Sequence, residues 1–203
     1  RDDVESRGLG DVYKRQTVLC GQLEGHPYRD VFSTVYSDDE EGGHFAALAM
    51  KDRGRKDIVA VLGPQDNPAV VDRLRGYRAV LGEDLPDANV IYTGWNSGDG
   101  YQAMHQILAR EIAFDGVLCG SDRIAAGVIT ALNEAGLSVP TDVSVVGFDD
   151  HEIAARCVPA LTTVRQPLRE EGHMAANIAL DMIKGAEPTT SVMHMQLIQR
   201  DSL

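Results

Sequence analysis

The chain has 203 residues, 43% of them hydrophobic and 25% charged, enough to bury one large core or two small ones. Its formal net charge of -12 argues against a nucleic-acid surface on this polypeptide, because phosphate binding draws on clustered Lys and Arg. No apolar run reaches the roughly 18 residues of a spanning helix, and no export signal with a basic start and apolar centre is visible.

Residues 1–16, RDDVESRGLGDVYKRQ, are half charged and show no sustained period. They read as a tag, linker or foreign arm outside the fold, a native charged arm being the alternative. The recognisable chain opens with short buried-strand candidates at Thr17 to Gly21 and Val31 to Tyr36, with Gly25, His26 and Pro27 marking the loop between them. Ser37 followed by Glu40 offers a capping box for a helix from Asp39 to Arg53, which Gly54 stops. Ile58 to Leu62 is a strand. Asn67 and Pro68 then supply a cap and a first-turn proline for a helix whose Val70, Leu74, Tyr77 and Leu81 share one face before Gly82.

Val90 to Tyr92 is the next strand, and Met104, Ile107, Leu108 and Ile112 mark the next helix. Gly116 to Cys119 is a strand, and Ile124, Val128 and Leu132 give a helix that stops at Gly136. The stretch from Asp142 to Pro167 is the most informative: an apolar run, Val143 to Phe148, ends abruptly in Asp149 and Asp150, and LTTVRQP reads as a further strand closed by Pro167 in the first turn of a helix. That last helix runs from Leu168 to Lys184 with Ala175, Ile178, Ala179 and Met182 on one stripe, and Val192 to Ile198 makes a final strand. Strict alternation of β and α elements predicts an α/β fold with a mostly parallel sheet flanked by helices, and ligand contacts at the carboxyl ends of its strands.

GFDD at 147–150, PALTTVRQP at 159–167, the helix with Glu170, Glu171, Gly172, Ala175 and Ala176, and the closing Arg200, Asp201 and Ser202 together resemble the effector-binding domain of the LacI/GalR family of bacterial transcription regulators. The resemblance runs from Thr17 to Leu203 and implies a two-lobe periplasmic-binding-protein-like type I fold, with three chain crossovers and the ligand between the lobes. Carried over, residues 17–54 and 159–187 form a partial amino-terminal lobe, and 55–157 and 190–203 the carboxyl-terminal lobe. The first lobe is expected to be incomplete and the helix-turn-helix headpiece missing. The resemblance further implies a homodimer, a sugar or a nucleoside or base as effector, DNA contact only through the missing headpiece, and no cofactor.

Six residues are candidates for the ligand. Asp149 offers a carboxylate acceptor of the kind that sugar hydroxyls favour, or caps a helix starting at His151, a role that Asp150 fits better. Arg73, in DRLRGY, matches the family's Arg-x-x-Gly-aromatic pattern and can direct its planar donor fork into a cleft; a solvated arginine is the alternative, and Arg75 and Arg78 are expected at the surface. Trp95 matches an aromatic that would lie against a sugar ring or base, or else serves the core or the lobe surface. Ser121 and Asp122 match an Asn-Asp pair, and Ser121 departs from the family's Asn, which puts the hydrogen-bond pattern in doubt; Asp122 is most simply a helix N-cap. Asp38 matches an acidic position ahead of a lobe helix, or belongs to that helix's acidic first turn.

Catalysis finds little support: there is no GxGxxG after a strand, no GxxxxGK[ST] and no GxSxG elbow, and the six histidines lack metal-ligand spacing. Cys20, Cys119 and Cys157 read as buried reduced thiols, which favours a cytoplasmic protein; Cys119 ahead of a helix is a remote nucleophile candidate. The rival to a regulator is the periplasmic sugar-binding component of an ABC transporter, against which LTTVRQP and the unpaired cysteines weigh.

Overall fold

The computed structural model describes residues 17–21, 32–110 and 112–203. The expected loop at Gly25, His26 and Pro27, the start of the second strand at Val31, and residues 1–16 lie outside them. Two compact units emerge. One holds the described residues up to Asp38 together with Pro167–His194; the other holds Asp39–Gln166 and Met195–Leu203.

The larger unit is built on a six-stranded sheet in the order β4-β3-β5-β6-β7-β9, where β3 is Ile58–Leu62, β4 Val90–Tyr92, β5 Gly116–Cys119, β6 Ser144–Asp149, β7 Thr162–Arg165 and β9 Gln196–Ile198. Every pairing is parallel except β7 with β9. Strands β3 and β5 are apolar and buried along their whole length because both faces of the sheet are covered there, and the period of two sorts the inward residues of each strand. Ile58, Ala60, Leu62, Leu118, Val146 and Phe148 join one buried cluster with Ala46, Met50, Leu74 and Tyr77 of helices α1 (Asp39–Asp52) and α2 (Pro68–Leu81). Val59, Val61, Val117, Cys119 and Val145 join a second with Met104, Ile107, Val128 and Leu132 of α3 (Ser97–Leu108) and α4 (Asp122–Glu134).

Each helix pair is notched by glycines. A Cβ on Gly43 of α1 would stand 2.3 Å from the Arg73 carbonyl oxygen, and one on Gly76 of α2 would stand 2.1 Å from that of Glu40. On the opposite face, a Cβ on Gly100 of α3 would stand 2.2 Å from the Ile124 carbonyl oxygen, and one on Gly127 of α4 would stand 1.9 Å from that of Ser97. The helices therefore touch backbone to backbone.

The smaller unit is a parallel sheet in the order β1-β2-β8, comprising Val18–Cys20, Ser33–Ser37 and Thr190–Met193, packed by α5 (Leu168–Ile183). Its buried cluster is Val35, Ile178 and Met182, with Val18, Ala175 and Met193 partly buried around it.

Several expectations need correction. Helix α1 packs on α2, so residues 39–54 group with the larger unit, as do 159–166, whose strand β7 pairs with β6. The single final strand is two: β8 belongs to one sheet and β9 to the other, separated by His194 and Met195. Ser37 forms no capping box with Glu40; its hydroxyl donates to Glu171 Oε2 at 3.0 Å. Helix α3 ends at Leu108, before Ile112. Pro167 stands one residue before α5, whose first-turn Glu171 amide bonds its carbonyl at 2.8 Å. No α-helix starts at His151: a turn leads into a single 3-10 turn at Ala154–Arg156. Cys20 is exposed rather than buried.

Candidate functional site

At the carboxyl ends of β3, β4, β5 and β6 the larger unit gathers five of the six expected residues. The sixth, Asp38, follows β2 in the smaller unit, where its amide donates to the Met193 carbonyl at 3.0 Å.

Arg73 comes from α2 and is buried, so its charge needs partners on the spot. Nε donates to Asp39 Oδ1 at 2.7 Å, Nη1 donates to the Gly120 carbonyl, and Asp149 Oδ1 lies 3.6 Å from Nη1. Below it the guanidinium carbon sits 3.7 Å from the centroid of the Phe148 ring, a cation held against a π face. Arg75 and Arg78 face outward and pair with Glu40 and Asp87.

Asp149 ends β6 with its side chain 34% exposed. Oδ1 accepts from Gln166 Nε2 at 2.7 Å, and Oδ2 takes no hydrogen bond from the described residues. Burial pushes its proton affinity up against the pull of Arg73, to a pKa of about 6. Its backbone is unusual: φ is 104° at Asp149 and 53° at Asp150, both in the region that favours glycine. Such strain costs on the order of 1–3 kcal/mol per residue and persists where surroundings over-determine it.

Those surroundings are specific. Asp150 is no helix cap; its carboxylate accepts from Arg165 Nε at 2.7 Å and Arg200 Nη2 at 2.5 Å. Arg200 also donates to the Leu161 carbonyl at 2.8 Å. Nearby, Ser202 Oγ accepts from the Thr162 amide and donates to the Val145 carbonyl, so the closing Arg-Asp-Ser fastens β6 to β7.

Ser121, rather than Asp122, caps α4: its hydroxyl accepts from the Ile124 amide at 3.3 Å. Asp122 is wholly buried one residue inside the helix and accepts from Thr163 Oγ1 at 2.6 Å and from the His151 amide at 2.7 Å. Burial raises its pKa to about 7 against those two hydrogen bonds. Trp95, 36% exposed, lies flat on Gly63 at the end of β3, where an added Cβ would meet its Cζ2 at 2.4 Å. Only a glycine floor admits the indole there.

Cys119 is buried, and burial followed by the charge of Asp122 drives its thiol well above the ordinary range, away from the thiolate a nucleophile needs. No group of three or more His, Cys, Asp or Glu among the described residues is arranged to hold a metal. Gln166, Arg165, Thr163, Arg200 and Asp39 were not among the candidate ligand residues, although Thr163, Arg165 and Gln166 lie inside the LTTVRQP phrase and Arg200 opens the closing Arg-Asp-Ser. The register that sets Asp149 opposite Arg165 is what gives that phrase its role.

Comparison with known proteins identifies the family. Residues 47–203 match the family model described as a periplasmic binding protein-like domain. Over 184 residues the chain is 36% identical to the HTH-type transcriptional repressor PurR of Escherichia fergusonii, covering 88% of this chain and 54% of the relative. The chain thus spans about half the length of the curated relatives it matches. Among solved structures, the transcriptional regulator CelR in complex with cellobiose superposes with a TM-score of 0.85 at 34% identity, covering 92% of this chain and 58% of that one. A LacI family regulator from Enterococcus faecium with bound ribose gives a TM-score of 0.75 at 30% identity, covering 84% and 65%. These relatives are regulators of transcription rather than enzymes or transporter components. The chain belongs to the periplasmic binding protein-like domain family, in the form carried by the LacI/GalR-type transcriptional regulators.

Proposed function

We propose that the chain is the effector-sensing part of a LacI/GalR-type transcriptional regulator, non-enzymatic and cytoplasmic, acting as a homodimer and taking a sugar or a related small metabolite such as a nucleoside or base. The observation that carries this reading is the constellation of Asp149, Arg73 and Trp95 at the strand ends. A carboxylate with one oxygen open to hydroxyl donors stands over a buried guanidinium, and the same rim carries an exposed indole suited to a sugar's apolar face. The cellobiose and ribose in the names of two similar structures support a carbohydrate over other metabolites. On this reading DNA recognition belongs to another part of the whole regulator, because a net charge of -12 argues against a phosphate-binding surface here. An effector changes the regulator only through its differential affinity for two conformations.

The test follows the fluorescence of the single tryptophan, Trp95, while the chain is titrated with ribose, cellobiose and a panel of nucleosides and bases. A saturable change with one of them is expected, absent in Trp95→Phe. Asp149→Ala is expected to weaken it about 10- to 100-fold, the worth of hydrogen bonds to a charged acceptor. Silence across the panel from a folded chain overturns the reading.

A further inference from the structure

Both peptide groups that flank Asp150 are tied to a single side chain. The amide of His151 donates to Asp122 Oδ2 directly, at 2.7 Å. The amide of Asp150 donates to Thr163 Oγ1 at 3.3 Å, and that hydroxyl donates in turn to Asp122 Oδ1 at 2.6 Å. Between them these bonds hold the left-handed turn that carries Asp149 and Asp150.

Asp122 has no other evident employment. Ser121 already caps α4, and the Asp122 carboxylate is fully buried, so it meets no ligand directly. The strand in front of it carries Gly147, where a Cβ would stand 2.3 Å from Asp122 Oδ1 and 2.7 Å from Leu161 Cδ2. A glycine in a buried strand weakens that strand, and here it opens the space the carboxylate fills. The glycine of GFDD and the aspartate opening α4 are thus two halves of one fitting.

We infer that Asp122 is a positioning residue that clamps the Asp149–Asp150 turn through His151 and Thr163 and so fixes where the Asp149 carboxylate stands. This deepens the functional reading above and rests on it only in making Asp149 a ligand contact. Asp149 titrates in view of Arg73 from α2, Asp39 from α1, and Gln166 and His151 from the flanking turns, and its raised proton affinity comes first from burial. A turn released from its clamp lets the carboxyl reach water, and the proton affinity drops.

The experiment is a pH titration of the full chain labelled with carbon-13 at aspartate carboxyls, followed by NMR, with the Asp149 signal identified by its loss in Asp149→Asn. Wild type is expected to titrate near 6. Asp122→Ala is expected to lower that midpoint by about one pH unit or more, toward the ordinary value of about 4. Asp122→Asn keeps an oxygen for the His151 amide and can donate to the Thr163 hydroxyl, so it should restore the wild-type midpoint. Thr163→Val, which cuts only the indirect arm, should give a smaller drop and serves if Asp122→Ala does not fold. A folded Asp122→Ala or Thr163→Val that titrates like wild type overturns the clamp, since mere loss of stability would not move the midpoint. No ligand enters this measurement. Failure to bind any sugar would therefore leave the clamp standing, and an unshifted midpoint would leave the effector reading standing.

Discussion

Three neighbouring carboxyls respond to the same fold in opposite senses. Burial raises Asp122 to about 7 and Asp149 to about 6. Burial also pushes Asp150 up, but hydrogen bonds from Arg200 and Arg165 outweigh it and leave that carboxyl below the ordinary range. The unfolded chain has all three near the usual value of about 4. Between pH 4 and 7 the folded chain therefore holds more protons at Asp122 and Asp149, and stability present near pH 4 is lost as pH rises through 6 and 7. Asp150 contributes in the other direction, with stability present above about 4 and lost in acid. Asp149→Asn, which keeps an oxygen for Gln166 and removes the partly buried charge, should melt above wild type at about pH 8 and lose that advantage toward pH 5. Calorimetric melting points across that range would check it; a constant difference would contradict the raised proton affinity of Asp149. The sequence showed that carboxylates stand here, because an apolar run ends in them. It did not show their division of labour, since capping, ion pairing and clamping all use the same side chain, and only the partners of Ser121, Asp122 and Asp150 separate the roles.

Among the elements, the two glycine-notched helix pairs bear directly on the site. Gly43 and Gly76 bring α1 against α2, and so bring Asp39 to the Nε of Arg73. Gly76→Ala forces the helices apart, since its methyl would collide with backbone rather than with a side chain that can swing away. Overpacking of this kind costs about 1–3 kcal/mol, and the urea midpoint should fall accordingly. An unchanged midpoint would mean that the helices slide without cost. Helix boundaries were legible where the signal is local: Asn67 caps and Pro68 opens α2 as its sequence implies. They misled where a local motif had a distant competitor. Ser37 and Glu40 have capping-box spacing, yet the Ser37 hydroxyl is taken by Glu171, 134 positions away. The strand expected from Val192 to Ile198 failed for a related reason, because its alternation does not reveal that the chain changes sheets at His194 and Met195.

At the scale of the whole molecule, the two units differ in how much they bury. The larger has two apolar clusters, one on each face of its sheet. Among its described residues the smaller has a buried apolar cluster of only Val35, Ile178 and Met182, and Leu168, Leu180 and Ile183 of its helix α5 stand exposed. Hydrogen exchange should therefore be slowest at amides of β3, β5 and β6 and markedly faster along α5 and β8, which mass spectrometry of peptides would resolve. Uniform protection across both units would refute that ranking. The α/β class and the order of elements were readable from periodicity, whereas the grouping of elements into units was not: it depends on α1 packing against α2, a long-range choice written in Gly43 and Gly76 rather than in any local pattern.

The outer strands of the larger sheet, β4 and β9, are each three residues long. The first ends in the exposed Tyr92, and the second begins with the exposed Gln196 and runs against the direction of its neighbour. Sheet margins are where a foreign strand would add on, and margins this brief offer a few ladder positions at most. The most apolar strand, Ile58–Leu62, is the segment most prone to cross-β stacking, and it lies inside the sheet, one strand in from the rim, paired on both sides by β4 and β5. The same strand order that lines up the candidate ligand residues along one end of the sheet thus also keeps its most apolar strands off the rim.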